Sequence, residues 1–194
     1  GIALTQNAKY IPLLRGLIGS LEQFESRPAL ACLDVGLSPA SREWVALHAQ
    51  HVVVPEWDLP VDPRVRDRRP HIRALTARPF LPRYFPGYDI YLWIDADAWV
   101  QERFALDWYL QYARGGALVA VPEVDRAYRH TRSNVEWRMT RVHNYFGPKF
   151  AQRALWKTYF NAGVFALRAD APHWEAWERS FREGLEMAKG VQCC

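Results

Sequence analysis

Two carboxylates separated by one small residue, Asp95 and Asp97, are the residues of this chain best suited to chemistry. They follow a run of bulky apolar side chains, Ile90–Ile94, which predicts a strand buried on both faces. Because side chains alternate along a strand, both aspartates are expected to point to one side, where their charges repel unless a cation lies between them. Oxygen ligands suit Mg²⁺ or Mn²⁺, so we predict a metal-bound diphosphate here.

The alternative interpretation is structural, with Asp95 capping the strand and Asp97 beginning a turn or a helix. Position favours the metal site, because ligands of open parallel α/β sheets collect at the carboxyl ends of the strands. A D-x-D match alone has low specificity.

The composition of the 194 residues is that of a single globular domain with a substantial core, since 49% are apolar and 14% are aromatic. The net charge of +4 suits anionic small molecules as well as nucleic acid. A local cluster, Arg64 to Arg69, has no interleaved aromatic residues that would stack on bases. We therefore expect no nucleic-acid partner, and we interpret the cluster as part of a solvated loop.

Three cysteines, Cys32, Cys193 and Cys194, are too few and too unfavourably placed for a disulfide framework, which favours a reducing cytoplasm. The sequence has no run of about 18 apolar residues and no signal peptide, so we expect no transmembrane segment, while peripheral membrane contact stays open. The chain begins as though inside a strand and stops just after a helical segment. We therefore expect one domain over residues 1–194, cut at both ends.

Strand-like and helix-like segments alternate along the chain. Ser38 and Pro39 are typical of a helix start, and Pro79 is expected to end a short helix over residues 71–78. This alternation predicts an α/β fold with a mostly parallel central sheet and helices on both faces. Other strands are predicted at residues 2–5, 29–35, 52–54, 117–121 and 164–167, and other helices at 10–24, at 104–113, before Gly147-Pro148 and after Asp170.

Residues 55–70 read PEWDLPVDPRVRDRRP, which is rich in proline and charge and has no sustained period. They predict a long surface loop. Because loops of this length inside compact domains are often functional, a lid or a substrate contact is as plausible as simple linkage.

Polar residues gather at the borders of three predicted strands, and such convergence is what a binding site requires. The central strand and the strand at 117–121 are each followed by carboxylates, and the strand at 164–167 is preceded by an amide and a glycine. The glycine permits close approach of the backbone to a ligand. These residues are Asp95 with Asp97, Glu123 with Asp125, and Asn161 with Gly163.

The strand ending in IDAD, the strand end AVPEVD and the segment YFNAGVFAL, in this order and spacing, resemble the nucleotide-sugar glycosyltransferases of GT-A fold, most closely glycosyltransferase family 8. The similarity runs from about Ala3 to Trp177. It implies a Rossmann-like GT-A fold and a Mn²⁺- or Mg²⁺-dependent transfer of sugar from a nucleoside diphosphate donor, UDP-sugar in particular. The acceptor would be a hydroxyl of a carbohydrate or another molecule, and family 8 relatives retain anomeric configuration.

The resemblance also implies a role for each matching residue. Asp97 would be the firmer metal ligand, and Asp95 would touch both the metal and the donor ribose. Arg78 would meet the donor diphosphate or sugar. The remaining roles are base binding by Thr5, Asn7 and Tyr10, contact with sugar hydroxyls by Glu123 and Asp125, and contact with donor sugar and acceptor by Asn161 and Gly163.

Two features depart from the family pattern. Asn7 stands where relatives usually carry an acidic residue, which leaves the identity of the base open. Relatives also supply a third metal ligand, a histidine, beyond the last helix, and nothing after Gly190 matches it, so either the chain is cut short or the metal site is lost.

For an inverting reaction, Glu123 or Asp125 would supply the general base.

Structural alternatives exist for the individual residues and for the whole chain. Tyr10 would be a core residue, Arg78 a surface residue or a partner of a structural carboxylate, and Asn161 part of a turn, with Glu123 or Asp125 a helix cap. The chain could be a non-catalytic nucleotide- or sugar-binding module. A haloacid dehalogenase-type phosphatase also carries D-x-D after a strand, but on its first strand and with Thr or Val two residues later, where this chain has Trp99.

Overall fold

The computed structural model describes residues 2–6, 10–26, 28–124, 132–154 and 157–187 of the chain. Within these ranges, six strands form one sheet. They are β1 (Ile2–Gln6), β2 (Leu30–Asp34), β3 (His51–Val53), β4 (Ile90–Ile94), β5 (Val119–Pro122) and β6 (Phe160–Arg168).

The order of the strands across the sheet is β3-β2-β1-β4-β6-β5. β1 pairs in parallel with β2 and β4, and β3 pairs in parallel with β2, which confirms the predicted mostly parallel sheet. β6 differs from the prediction, because it runs antiparallel to both of its neighbours, β4 and β5. The first residues of β6 therefore lie at the same edge of the sheet as the carboxyl ends of β4 and β5.

Helices cover both faces of the sheet, as predicted. On one face, Leu17 and Leu106 pack in a buried cluster with Leu92 of β4. On the other face, Trp174 packs in a second cluster with Trp93 of β4. The helices in the described ranges are α1 (Ile11–Glu22), α2 (Pro39–His48), α3 (Pro63–Arg68), α4 (Arg73–Ala77), α5 (Leu81–Tyr84), α6 (Arg103–Arg114), α7 (Arg132–Ala154) and α8 (His173–Met187).

The start of α2 follows the capping rule that its sequence predicts. The Ser38 hydroxyl accepts the backbone N–H of Ser41 at 3.2 Å, and Pro39 occupies the first turn. The face that the helix buries is narrower than its apolar residues suggest, because Val45 is fully buried whereas Leu47 is 82% exposed.

Residues 55–70 do not form the structureless surface loop that the sequence predicts. Leu59 and Val61 are buried against Phe80, so the first half of the segment is packed onto the domain. The second half contains α3, which begins because Asp62 accepts the N–H of Arg64 at 2.7 Å and Pro63 follows the cap. The sequence carried this N-terminal signal, but the density of prolines obscured it.

The predicted helix over residues 71–78 is present in a modified form. It begins as a 3₁₀ turn, Pro70–Ile72, and continues as α4. Pro79 does not end the helical path as predicted, because a second 3₁₀ turn, Arg78–Phe80, leads into α5. Proline is tolerated there because the first turn of a helix leaves its N–H groups without intrahelical partners.

The predicted break at Gly147-Pro148 is confirmed inside α7, where Gly147 adopts a φ of 78°. A positive φ is readily adopted only by glycine, so the two halves of α7 meet at a kink. In the part of the chain that the structure describes, no helix combines the length and the apolar character needed to cross a membrane.

Candidate functional site

The two aspartates lie where β4 leaves the core. All five residues of β4 are buried, and the chain turns immediately after it, with the carbonyl of Asp95 accepting the N–H of Ala98 at 3.0 Å. This turn leaves Asp95 half-buried and exposes Asp97. Among the described residues, no side chain forms a hydrogen bond with the Asp97 carboxylate, so its oxygens face solvent.

The Asp95 carboxylate is held by two side chains. Its Oδ1 atom accepts hydrogen bonds from Trp93 Nε1 and from Arg78 Nη2, each at 2.7 Å. Arg78 is only 7% exposed, and its Nη1 atom donates to the carbonyl of Ala162 at 3.0 Å. Its guanidinium carbon also lies 4.5 Å from the centroid of the Trp93 ring. The guanidinium therefore fixes Asp95 and the start of β6 at the same time, so Arg78 is not a surface residue and is paired with a carboxylate.

Burial dominates the electrostatics of this pair. It raises the pKa of Asp95, and Arg78 and Trp93 oppose this rise only in part, while the charge of Asp97 adds to it. Because the pKa of Asp95 in the folded protein lies above its unfolded value, the stability that its protonated form contributes is lost as pH rises through the raised pKa. A bound cation would oppose this rise in the pKa of Asp95, because it favours the ionised carboxylate.

The first residues of β6 complete the surroundings of Asp95. The Asp95 N–H donates to the carbonyl of Gly163, and the Gly163 N–H donates to Asn161 Oδ1, each at 2.7 Å. A Cβ atom at Gly163 would lie 2.7 Å from Asn161 Oδ1 and 3.1 Å from Asp95 Oδ2. Asn161 thus lies inside a strand rather than closing a turn, and Gly163 is needed because there is no space for a side chain.

We expect Gly163→Ala to lower activity by at least about ten-fold, because the added methyl group must displace the Asp95 carboxylate or the Asn161 amide from its position. Turnover of the nucleotide-sugar donor that the sequence resemblance implies would measure the effect. Gly19→Ala is the matched control, since a Cβ there meets nothing within 4 Å, and alanine stabilises a helix by up to about 1 kcal/mol relative to glycine. Equal activity of both variants would show that the close approach at Gly163 has no functional role.

A pocket of about 270 Å³ opens beside the two aspartates. It contains four of the predicted site residues. Tyr10 is 43% exposed, so it is not a core residue. The pocket is lined by Tyr10, Leu13, Val35, His71, Ala74, Leu75, Arg78, Asp95, Ala96 and Asp97.

Sequence reasoning missed one wall of this pocket. His71, Ala74 and Leu75 line it together with Arg78, and these positions follow the i, i+3, i+4, i+7 spacing of one helical face. Arg78 was predicted to face the donor, so the residues three, four and seven positions before it would face the donor as well. The helical spacing in the sequence could therefore have identified all three.

Glu123 follows β5, next to the start of β6. Its N–H donates to the carbonyl of Tyr159 at 2.8 Å, and its carboxylate accepts a hydrogen bond from Arg138 Nη2 at 2.7 Å. The Arg138 guanidinium carbon lies 4.6 Å from the centroid of the Tyr159 ring. Glu123 is therefore held in an ion pair that the sequence did not predict, and it is not among the residues that line the pocket of Asp95.

The roles predicted for the site residues all remain predictions, and for three of these residues the structure describes little or nothing. Thr5 lies in β1 in register with Leu33 of β2, near the carboxyl edge of the sheet, and only its backbone is described. Asn7 and Asp125 lie outside the described residues.

The carboxylates of Asp95 and Asp97 supply oxygen ligands, which are the kind that a hard divalent cation prefers. Within the described ranges, no group of three His, Cys, Asp or Glu side chains is arranged to hold a metal. Mg²⁺ and Mn²⁺ do not require such a cage at a phosphate site, because one or two carboxylates suffice when substrate phosphates and water complete the coordination. Asp97 and the Oδ2 atom of Asp95, which accepts neither of the hydrogen bonds from Arg78 and Trp93, are the available ligands.

A mostly parallel sheet, an aspartate pair at the carboxyl end of its central strand and a pocket beside that pair are features of GT-A-fold proteins, and solved structures of that class share the fold of this chain. The model of glycosyl transferase family 8 matches residues 2–181, and the chain belongs to this family.

Solved structures share this fold. Galactosyltransferase LgtC, in complex with donor and acceptor sugar analogs, has 24% identity and a TM-score of 0.62, with 98% of this chain and 66% of that chain covered. Mouse xyloside xylosyltransferase 1, in its apo form, has 11% identity and a TM-score of 0.57, with coverages of 97% and 75%. Core-mannan synthase A from Aspergillus fumigatus, in its Mn/GDP form, has 10% identity and a TM-score of 0.52, with coverages of 94% and 64%.

At these identities the structures establish the fold alone. The chain spans slightly less than two thirds of the length of LgtC. A search of curated protein sequences finds no match.

Proposed function

We propose that this chain transfers a sugar from a nucleoside diphosphate donor, UDP-sugar in particular, to a hydroxyl group of an acceptor, with Mn²⁺ or Mg²⁺ as cofactor. Membership of glycosyl transferase family 8 supports the reaction class. The observation that carries the proposal is the pocket in which Tyr10, Arg78, Asp95 and Asp97 come together at the carboxyl edge of the sheet.

The donor nucleotide would lie in this pocket. The exposed ring of Tyr10 offers a surface for stacking of the base, and Thr5 and Asn7 on the preceding strand and loop would bind its edge. Asp95 and Asp97 would hold the cation, which supplies positive charge beside the diphosphate when bound. The Mn/GDP form of core-mannan synthase A supports a metal-bound nucleoside diphosphate in proteins of this fold.

Arg78 acts on the same charge from the side of the protein. Its buried guanidinium keeps Asp95 in position and places a fixed positive charge in the wall of the pocket. Negative charge develops on the diphosphate as the anomeric bond breaks, and a preorganised cation stabilises that charge more than it stabilises the bound donor.

The transferred sugar would lie against the start of β6, where Asn161 and Gly163 surround Asp95. Glu123 and Asp125 would contact sugar hydroxyls from the end of β5. We propose that the anomeric configuration is retained. The ion pair of Glu123 with Arg138 supports this, because a carboxylate held by a guanidinium is a weaker general base, while its free lone pairs still accept hydrogen bonds from sugar hydroxyls.

Calorimetric titration of UDP and GDP, with and without Mn²⁺, tests the proposed donor site. We expect UDP to bind in the micromolar range only with the metal, and to bind more than about ten-fold tighter than GDP, since a site that pairs with one base edge rejects another. NMR of the product made from a UDP-sugar and an acceptor determines the anomeric configuration of the transferred sugar. Lack of binding by either nucleotide with metal present would contradict the proposal, and binding without turnover of any donor would make the chain a binding module.

A further inference from the structure

Another pocket, of about 330 Å³, opens between α6 and the sheet, and we name it the α6 pocket. Side chains of β4 and β6 line it from the sheet, and Ala105 and Tyr109 line it from the helix. Apart from Gln101 and Glu102, all of its lining side chains are apolar or aromatic. Small-molecule sites have volumes of about 300–1,000 Å³ and are lined mostly by such side chains, so the α6 pocket has the size and the character of a binding site.

Large aromatic side chains at the α6 pocket remain exposed to water. Trp99 and Phe104 line the pocket and are 67% and 52% exposed. The centroid of the Phe104 ring lies 4.9 Å from that of Trp108, and Trp108 and Tyr112 continue the exposed aromatic surface along the outer face of α6. Folding leaves this apolar surface in water, and apolar patches of this kind mark places where a ligand binds.

The α6 pocket begins beside the position proposed for the transferred sugar. Ile94 of β4 pairs with Val164 of β6, and both side chains line the pocket. The next residue after Ile94 is Asp95, and the residue before Val164 is Gly163. Consecutive Cα atoms are about 3.8 Å apart, so the pocket starts one residue away from the site on each strand. An acceptor that presents a hydroxyl group to the donor sugar can therefore extend a substituent into the α6 pocket.

The lining of the α6 pocket favours an aliphatic chain over other occupants. A buried sugar ring needs hydrogen-bond partners for several hydroxyl groups, and the side chains of Gln101 and Glu102 are too few to supply them. The carboxylate of Glu102 would repel the carboxylate of a free fatty acid. A sphere of this volume is about 9 Å across, less than the diameter of about 10–12 Å of a helix with its side chains. An aliphatic chain needs no hydrogen bonds, and each methylene group that leaves water raises its affinity about four-fold.

We propose that the α6 pocket binds an aliphatic chain carried by the acceptor, so that the acceptor is a glycolipid or another hydroxyl compound linked to a lipid. This inference rests on the proposed function, because that function requires an acceptor. The chain lies between α6 and the start of β6, while the hydroxyl group that receives the sugar faces the donor beside Gly163. The exposed rings of Trp99 and Phe104 cover the chain where it enters the pocket.

The test measures binding of methyl, hexyl, heptyl and octyl β-glucosides by NMR titration, each below its critical micelle concentration. Ala105→Leu fills the pocket with a side chain that still favours a helix. Ala46→Leu makes the same change at an exposed position of α2 and is the matched control. Tyr112→Ser removes exposed aromatic surface outside the pocket, which separates binding in the pocket from adsorption to the outer face of α6. Binding of UDP with Mn²⁺ and the melting temperature are measured on every variant.

We expect the affinity of the wild type to rise about four-fold with each methylene group from hexyl to octyl glucoside, and Ala105→Leu to bind octyl glucoside at least about ten-fold more weakly. Ala46→Leu and Tyr112→Ser should bind it as the wild type does. Trp99→Ser provides a second test that does not depend on the packing of α6, because Trp99 is exposed, and it should weaken binding about five-fold.

An affinity of the wild type that does not depend on chain length would overturn the proposal. Losses in Ala46→Leu or Tyr112→Ser as large as the loss in Ala105→Leu would overturn it as well, since the chain would then bind outside the pocket. Binding of UDP with Mn²⁺ separates the two proposals. If UDP binds the wild type and the alkyl chain does not, this inference fails alone, whereas lack of UDP binding contradicts the proposed function.

Discussion

Replacing Asp97 with asparagine is expected to abolish metal-dependent binding of UDP and to lower turnover by about a thousand-fold, the size of effect seen when one preorganised charge is removed from a transition state. Asparagine preserves the shape of the side chain but removes the charge that a hard cation requires. The folded protein should barely change, because Asp97 is exposed and accepts no hydrogen bond from the described residues. Calorimetry measures the binding, and a donor-consumption assay measures the turnover.

The control for Asp97→Asn is an aspartate-to-asparagine substitution at the other end of β4. Asp89 is an exposed carboxylate just before the strand, at the opposite edge of the sheet, so Asp89→Asn changes the net charge equally without touching the pocket. Addition of Mn²⁺ should raise the melting temperature of the wild type and of Asp89→Asn, since a cation that binds only the folded protein stabilises it. A wild-type response in Asp97→Asn would show that the cation, if bound at all, lies elsewhere.

Replacing Arg78 with methionine is expected to lower the free energy of unfolding by about 2–3 kcal/mol, less than the 3–5 kcal/mol typical of a fully buried pair, because the Asp95 side chain is 32% exposed. The Asp95 carboxylate would lose its counter-charge and one of its two hydrogen bonds, and the carbonyl of Ala162 would lose a donor. A melting temperature lower by about 5–10 °C would report this loss. Turnover should also fall by about a hundred-fold, because the pocket loses its fixed cation.

Two comparisons isolate the buried pair. Arg168→Met removes a guanidinium from a well-formed surface pair with Asp170, and it should cost no more than about 1 kcal/mol. Asp95→Asn in the Arg78→Met background removes the uncompensated charge and should restore part of the lost stability, with a coupling energy above about 1 kcal/mol. Additive effects of Arg78→Met and Asp95→Asn would contradict the assignment of Arg78 as the partner that holds Asp95.

The sequence was informative wherever function depends on local pattern. The apolar run of β4 and the polar residues that follow it identified the central strand and the position of Asp95 and Asp97 at its carboxyl end. Ser38 and Gly147 likewise acted through local rules, as a helix cap and as a helix break. Local rules work in these cases because the interactions involved lie within four residues along the chain.

Contacts between distant segments were not accessible in the same way. The direction of β6 could not be deduced from the alternation of strands and helices, because a long connection through α7 is compatible with either direction. The ion pair of Glu123 with Arg138 and the contact of Arg78 with Ala162 join residues 15 and 84 positions apart. Burial of Leu59 and Val61 beneath a proline-rich segment depends on Phe80 and Leu185 in the same way. Residue type alone does not specify such partners.

The antiparallel insertion of β6 also sets the order in which the protein can acquire its site during folding. Ile94 of β4 pairs with Val164 of β6, and in the described ranges β5 joins the sheet only through β6. Closing a loop of this length carries an entropic cost that must be met before the contacts form, so pairing of β6 is a slow, nonlocal step. A nascent chain that ends before β6 has both aspartates but lacks Gly163 and Asn161. The hydrogen bonds that hold Asp95 and Arg78 against the start of β6 therefore form only when the last strand of the sheet pairs. The proposed metal-dependent binding of UDP would serve as a kinetic probe for that step.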